Sequence, residues 1–247
     1  QVLRIKYYPT EECSVVSLQY SVNWNVKGGD FIRNRRLELA FLNTWNKPLV
    51  SFFSFYTCIL IFGNSKPLLF LFYILMGFSM IVLFVNSFHD AAHGSVFYTK
   101  KQNRWFCYVL ELFGSNSKIW MKRHILLHHS YPNIQNWDCD IKQSNLIRLF
   151  PNSKWYNFHK YQHFYMWLLY PFYTLIWLFN RDFKDFFGTK DNYLKRVYTI
   201  PRIEYVKLIL AKLFNIFYML VIPYLVLNQT FSTIFLAWLV MHMCSSI

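Results

Sequence analysis

The chain has 247 residues, with 26 Lys or Arg against 12 Asp or Glu and a formal net charge of +14. Hydrophobic residues make up 55% and aromatics 21%; the apolar residues gather in runs, which excludes a disordered chain and points to a membrane protein. Five cysteines without a C-x-x-C exclude a disulfide framework and a thiolate zinc site. The basic charge comes with no nucleic-acid-binding motif, so a cationic cytoplasmic membrane face accounts for it better.

Residues 1–44 read as a polar, soluble arm broken at Gly28-Gly29. A first membrane span is predicted over 45–62, with Pro48 in its first turn and Lys47 reaching the headgroups. Gly63 to Pro67 is a turn, and a second span is predicted over 68–88. The polar region 89–162 carries ten Lys or Arg against four acids. Segment 163–180 is apolar enough to span, yet a single crossing there would separate the basic stretches 89–162 and 181–206. With Pro171 near its middle and six Tyr, Trp or His, it reads as an interfacial helix on the cytoplasmic surface. A third span is predicted over 208–227 and a fourth over 231–247, joined by Asn228-Gln229-Thr230. The expected fold is all-α: a multi-pass membrane bundle of four spans, the last cut short, with a cytoplasmic helical cap. The expected domains are an arm, 1–44, and a membrane domain, 45–247. Residue 1 is Gln and Ile247 lies inside an apolar run, so the chain reads as a piece of a longer protein.

Eight histidines stand at 89, 93, 124, 128, 129, 159, 163 and 242. Five form two boxes, His89-Asp90-Ala91-Ala92-His93 and His124-Ile125-Leu126-Leu127-His128-His129. Residues four apart on a helix share a face, so each box presents a pair, and His129 reaches a second ion or the far side of the same one. Neutral imidazole suits iron, copper, nickel and zinc. Five imidazoles exceed what one tetrahedral zinc needs, so a two-metal, nitrogen-rich site is the natural reading. A lone H-x-x-x-H would more often be structural; two boxes on one predicted side outweigh that. Asp90 reads either as a carboxylate fixing an imidazole tautomer or as a solvated cap. His159 and His163 read as surface anchors, and His242 as a packed histidine bonded to a neighbouring helix.

At these residues the sequence resembles the membrane fatty acid desaturases, most closely the front-end or linoleoyl-CoA type. The likeness is carried by Asn86 to Gly94, Gly114 to Trp120 and His124 to Ile134, with Asp138 and Asp140 following. Tyr161-Gln162-His163, Arg181-Asp182-Phe183 and Phe217 to Pro223 add to it. The resemblance implies a cytoplasmic cap holding two non-haem iron ions, with His89, His93, His124, His128 and His129 as ligands. It marks Asp90, Asn116, Trp120, Asn133 and Asp138 as residues that back the ligands or line the acyl channel. It implies an acyl-CoA or membrane-lipid substrate, O2, and a separate electron donor such as cytochrome b5 or ferredoxin. The family's third histidine box is not in these 247 residues, so the chain by itself is expected to be inactive. A lipid hydroxylase or sphingolipid desaturase of the same superfamily, a non-catalytic metal-binding membrane relative and a transporter are the rival readings.

Overall fold

A computed structural model describes residues 4–8, 15–19, 46–135, 137–141, 145–189 and 193–246. The chain divides into two compact units, Gln1–Arg36 and Leu37–Ile247. The first contains an antiparallel hairpin, β1 (Arg4–Tyr8) with β2 (Val15–Gln19), in register from Arg4 opposite Gln19 to Tyr8 opposite Val15. This corrects the all-α expectation for the arm. Ile5, Tyr7, Tyr8, Val15 and Val16 are strand formers, and their short runs carry no helical period. The Gly28-Gly29 break lies outside the described residues.

The second unit is helical. α1 (Asn46–Phe62) starts with Pro48 in its first turn, as predicted. α2 (Lys66–Ala92) follows a turn in which the Gly63 amide bonds the Ile59 carbonyl at 2.8 Å. α2 starts at Lys66 and runs four residues past the predicted span, so the first histidine box lies at its C-terminal end rather than beyond it. Short helices come next: α3 (Lys100–Phe106), a turn at Val109–Leu112, and α4 (Ser117–Arg123). Segment 163–180 is helical but broken: α5 (Gln162–Leu169), a tight turn at Tyr170–Phe172, and α6 (Tyr173–Ile176). The break falls at Pro171, which cannot donate to the helix ladder. A π turn, Trp177–Arg181, then leads into α7 (Asp182–Phe187). The chain ends with α8 (Tyr193–Val197), α9 (Arg202–Val226) and α10 (Phe231–Cys244).

Among the described residues, α2 and α9 are long and apolar enough to cross a membrane; α1 and α10 are apolar but have 17 and 14 residues. α1, α2, α9 and α10 share one core built on Phe52, Ile59, Tyr73, Met76, Met219 and Trp238. Gly77 permits close contact between α2 and α10: a Cβ there would lie 2.6 Å from the Met241 carbonyl. A π turn in α9, Phe217–Val221, breaks the usual carbonyl pairing. Tyrosine hydroxyls donate there, Tyr56 to the Tyr218 carbonyl at 2.7 Å and Tyr73 to that of Met219 at 2.6 Å. Large apolar side chains such as Phe78, Val85, Leu213 and Leu225 stay exposed on the outer faces of α2 and α9.

The polar residues of α9 fasten it to the region that carries the histidines. Lys212 donates to Asp182 at 3.0 Å and to the Gly114 carbonyl at 3.1 Å. Asn215 and Tyr218 donate to the Leu112 carbonyl at 2.8 and 2.7 Å. Gly114 has φ +75°, and a Cβ there would lie 2.8 Å from Leu178, so glycine fits both the backbone and the space.

Candidate metal centre

The π turn Leu83–Phe88 of α2 closes directly before His89. His89 and His93 then share a face, with ring centroids 4.7 Å apart. The second box continues α4. Asn116 caps that helix, accepting the Ile119 amide at 3.0 Å. Its own amide donates to buried Glu204 of α9 at 3.1 Å. α4 passes into a π turn, His124–His128, and the His129 amide donates to the His124 carbonyl at 3.0 Å. In an i→i+5 turn, the residues four and five positions on flank the direction of the first. Both members of the His128-His129 doublet therefore face His124, with centroids 5.3 and 4.5 Å away.

His89, His93, His124 and His129 each offer a ring nitrogen within 4.8 Å of the others, and His124, His128 and Asp140 form a second such group. All five predicted ligands thus belong to two groups that share His124. The His124 and His89 Nε2 atoms lie 3.2 Å apart, and those of His129 and His124 2.9 Å. Nitrogens bound about 2.1 Å from one ion sit roughly 3 Å from each other, so the donor set fits a first-row transition metal. Burial lowers the pKa of His93 and His129, and the neighbouring imidazoles lower it further; the neutral ring is the form that binds metal. Burial instead pushes the Cys107 and Cys139 thiols up to about 12, which keeps sulfur protonated and leaves nitrogen and carboxylate donors.

Carboxylates hold the rings. Buried Asp138 accepts from His128 Nδ1 at 3.0 Å, from the Asn133 amide at 2.9 Å and from the Asp140 amide at 3.0 Å. Asn133 thus contributes its backbone, at φ 61°, a left-handed conformation that Asn tolerates. Asp90 lies 3.5 Å from His89 Nδ1 and is 42% exposed, a weaker support. Trp120 stacks on His124 at 4.5 Å and 22° and meets Phe88 edge-on at 4.8 Å. Asn116 holds the helix start; among the described residues its side chain bonds Ile119 and Glu204 rather than a histidine.

One feature of the centre was beyond the sequence pattern. Asp140 sits 3.3 Å from His124 Nδ1 and 3.1 Å from Arg181 Nη2, and its Oδ1 lies 3.5 Å from Arg123 Nε. Burial alone would raise the Asp140 pKa; the His124 bond and the two guanidiniums outweigh it and hold the carboxyl well below its usual range. Arg123 also donates to Asp185 at 2.7 Å, and both guanidiniums lie over the Trp177 ring. The sequence signals were an Arg directly before His124, the Asp138-x-Asp140 spacing and Arg181 in Arg181-Asp182-Phe183; none of them shows that these residues meet. His159 is buried rather than a surface anchor: its Nε2 bonds the Asn145 carbonyl at 2.8 Å and its Nδ1 accepts the Tyr156 amide at 3.1 Å. His163 packs against Phe164, and neither joins a metal-binding group among the described residues. His242 is packed as expected, its Nδ1 3.2 Å from Thr174 of α6.

Residues 65–247 match the family described as fatty acid desaturase. The chain is similar to an sn-1 linoleoyl-lipid 6-desaturase of Arthrospira platensis, 35% identical over 45% of this chain and 33% of the relative. It is similar to an acyl-lipid (8-3)-desaturase of Physcomitrium patens, 36% identical over 66% of this chain and 34% of the relative. It also resembles acyl-lipid (8-3)-desaturase B of Dictyostelium discoideum, 29% identical over 66% of this chain and 35% of the relative. The matched part spans about a third of the length of these relatives. No solved structure matches the chain. With most of its length matched and two histidine boxes folded into one cluster, the chain belongs to the fatty acid desaturase family.

Proposed function

We propose that the whole protein introduces a double bond into the acyl chain of a membrane lipid, using O2, two electrons and two non-haem iron ions. The observation that carries this reading is the convergence of five imidazoles from the ends of two helices. The relatives named for linoleoyl-lipid and acyl-lipid substrates favour a lipid-bound chain over acyl-CoA. α1, α2, α9 and α10 would make four crossings, with the histidine boxes on the cytoplasmic side, an arm at 1–44 and a membrane domain at 45–247. A separate acidic donor such as cytochrome b5 or ferredoxin would supply electrons to the basic face.

His89, His93, His124, His128 and His129 would hold the iron. Bound there, iron would supply the oxidising power to take hydrogen from an unactivated C–H bond. The protein's own part is binding and orientation. A carboxylate only accepts hydrogen bonds, so the Asp138 contact puts the His128 proton on Nδ1 and leaves Nε2 for metal. Asp140 does the same for His124. Trp120 limits rotation of the His124 ring. Phe84, Phe88 and Trp120 form an apolar cluster that keeps water from that side.

The test is expression of the complete protein in a host fed linoleate, with lipid acyl chains analysed by gas chromatography. A new double bond, lost in His93→Ala and in His129→Ala, is expected. A complete protein that binds iron yet yields no acyl product overturns the reading.

A further inference from the structure

Beside the histidine cluster lies a groove of about 520 Å³. His93 lines it and also offers its ring nitrogen to the metal-binding group, so the groove adjoins the centre. Four cations line it, Lys100, Arg104, Lys118 and Lys122, and no acid does. They come from two helices, α3 and α4. Lys118 is paired with Glu204 at 3.0 Å, and Lys122 lies over the Tyr198 ring. Lys100 and Arg104 are exposed and have no ion-pair partner among the described residues. A concentration of positive charge left uncompensated on a partly enclosed surface attracts an anion.

His93, Asn103, Ser117 and Tyr108 add polar groups to the lining, and Ala91, Ala92, Met121, Ile125 and Leu126 give it an apolar wall. Tyr108 in the lining is 46% exposed, and Trp105, whose ring meets it edge-on at 6.1 Å, is 68% exposed. Exposed Trp and Tyr beside Lys and Arg mark the headgroup level of a membrane. An anion-binding edge and an apolar wall together fit an amphiphile whose charged group and hydrocarbon are joined.

The geometry points to a site for the phosphate of a glycerophospholipid, with Lys100 and Arg104 as its principal contacts and the acyl portion lying along the apolar wall toward His93. This deepens the reading of the protein as acting on a lipid-bound chain and rests on it. It narrows the substrate class: the site selects a phosphate-bearing lipid over a neutral glycolipid with the same acyl chains. Arg presents a planar fork to phosphate oxygens and Lys a mobile point charge.

The test measures lipid retention by native mass spectrometry on the full 247-residue chain in a neutral detergent. The probes are dioleoyl phosphatidylglycerol, a neutral dioleoyl galactolipid and inorganic phosphate. The variant is Lys100→Gln/Arg104→Gln, which breaks no ion pair among the described residues. The control is Lys154→Gln/Lys160→Gln, cations outside the groove. Phosphatidylglycerol is expected to bind the double variant about 30-fold more weakly than the wild type, at the scale of one interfacial cation each. The control is expected to match the wild type. Equal retention of phosphatidylglycerol by the wild type and the groove variant overturns the inference, as does equal retention of the galactolipid by the wild type. Displacement by millimolar inorganic phosphate would reduce the site to one for free phosphate and overturns the lipid assignment. Acyl-product analysis of the complete protein separates the two ideas. Selective lipid retention without an acyl product counts against the desaturase reading, and an acyl product without selective retention counts against the groove alone.

Discussion

Arg123→Met should destabilise the fold and loosen the metal centre together. Arg123 is 1% exposed, its Nη1 is 2.7 Å from Asp185, and its guanidinium lies 4.3 Å from the Trp177 ring centroid. Met fills similar space but leaves a buried carboxylate without its nearest cation. Breaking one side of a buried pair costs about 3–5 kcal/mol, and a desolvated cation–π contact adds about 2 kcal/mol at most. A loss of about 4 kcal/mol is expected in denaturant unfolding of the detergent-solubilised chain, followed by tryptophan fluorescence. Arg123→Met/Asp185→Leu should recover most of it, because an apolar pair of similar volume carries no desolvation penalty. The second readout is metal affinity. Asp140 loses one of the two guanidiniums that fix it, and Asp140 in turn fixes His124; weakened support of this kind lowers affinity by roughly 10-fold or more. A stability loss under about 1 kcal/mol, or a double variant no better than the single, would refute the reasoning.

Three further outcomes follow from the packing and the charges. Tyr73→Phe removes the buried 2.6 Å bond to the Met219 carbonyl and should cost about 1–3 kcal/mol in the same unfolding assay, since an unsatisfied carbonyl remains. Gly77→Val places side-chain atoms against the Met241 backbone and should cost about 1–3 kcal/mol or more; an unchanged midpoint would show that α2 and α10 do not meet there. Burial raises Glu111 to about 7 even though bonds from Ser117 pull it down. A carboxyl raised in the folded state binds its proton more tightly than in the unfolded chain, so stability falls as pH climbs from about 4.5 to 7. Glu111→Gln should flatten that part of the profile relative to wild type; identical profiles would remove Glu111 from the account.

The histidine boxes were legible because four-residue spacing on a helix fixes a shared face whatever surrounds it. The supporting role of Asp138 was legible by resemblance, and the geometry gives it a partner, His128. The π turns were not legible. A one-residue widening leaves no trace in the apolar runs of α2 and α9, whose rotation periodicity cannot fix, and four-residue spacing does not register it at His124–His128. Yet the turn at His124–His128 decides that both His128 and His129 face His124, where a regular α-helix would favour His128 alone. Lys212 and Asn215 are polar residues inside the third predicted span, 208–227. Their partners, Asp182, Gly114 and Leu112, lie 30 to 103 positions away, beyond any local pattern. The hairpin in the arm was missed for the opposite reason: five-residue strands are too short to stand out against mixed polar sequence.

The π turns and the polar residues of α9 share a physical cause. A helix that must meet polar groups at one end has backbone groups to satisfy where water is scarce. In α9 the π turn puts two carbonyls under tyrosine hydroxyls, and below it Lys212 and Asn215 reach carbonyls of the neighbouring segment. In α2 the π turn ends at His89. The widened turns of α2 and α4 thus lie directly at the histidines, where a local change in backbone pairing also aims the ligands. A substitution that restored regular α-helical pairing at His124–His128 would rotate His129 away from His124 while leaving every predicted ligand in place. Sequence spacing would still match the family, and the five-imidazole cluster would be lost.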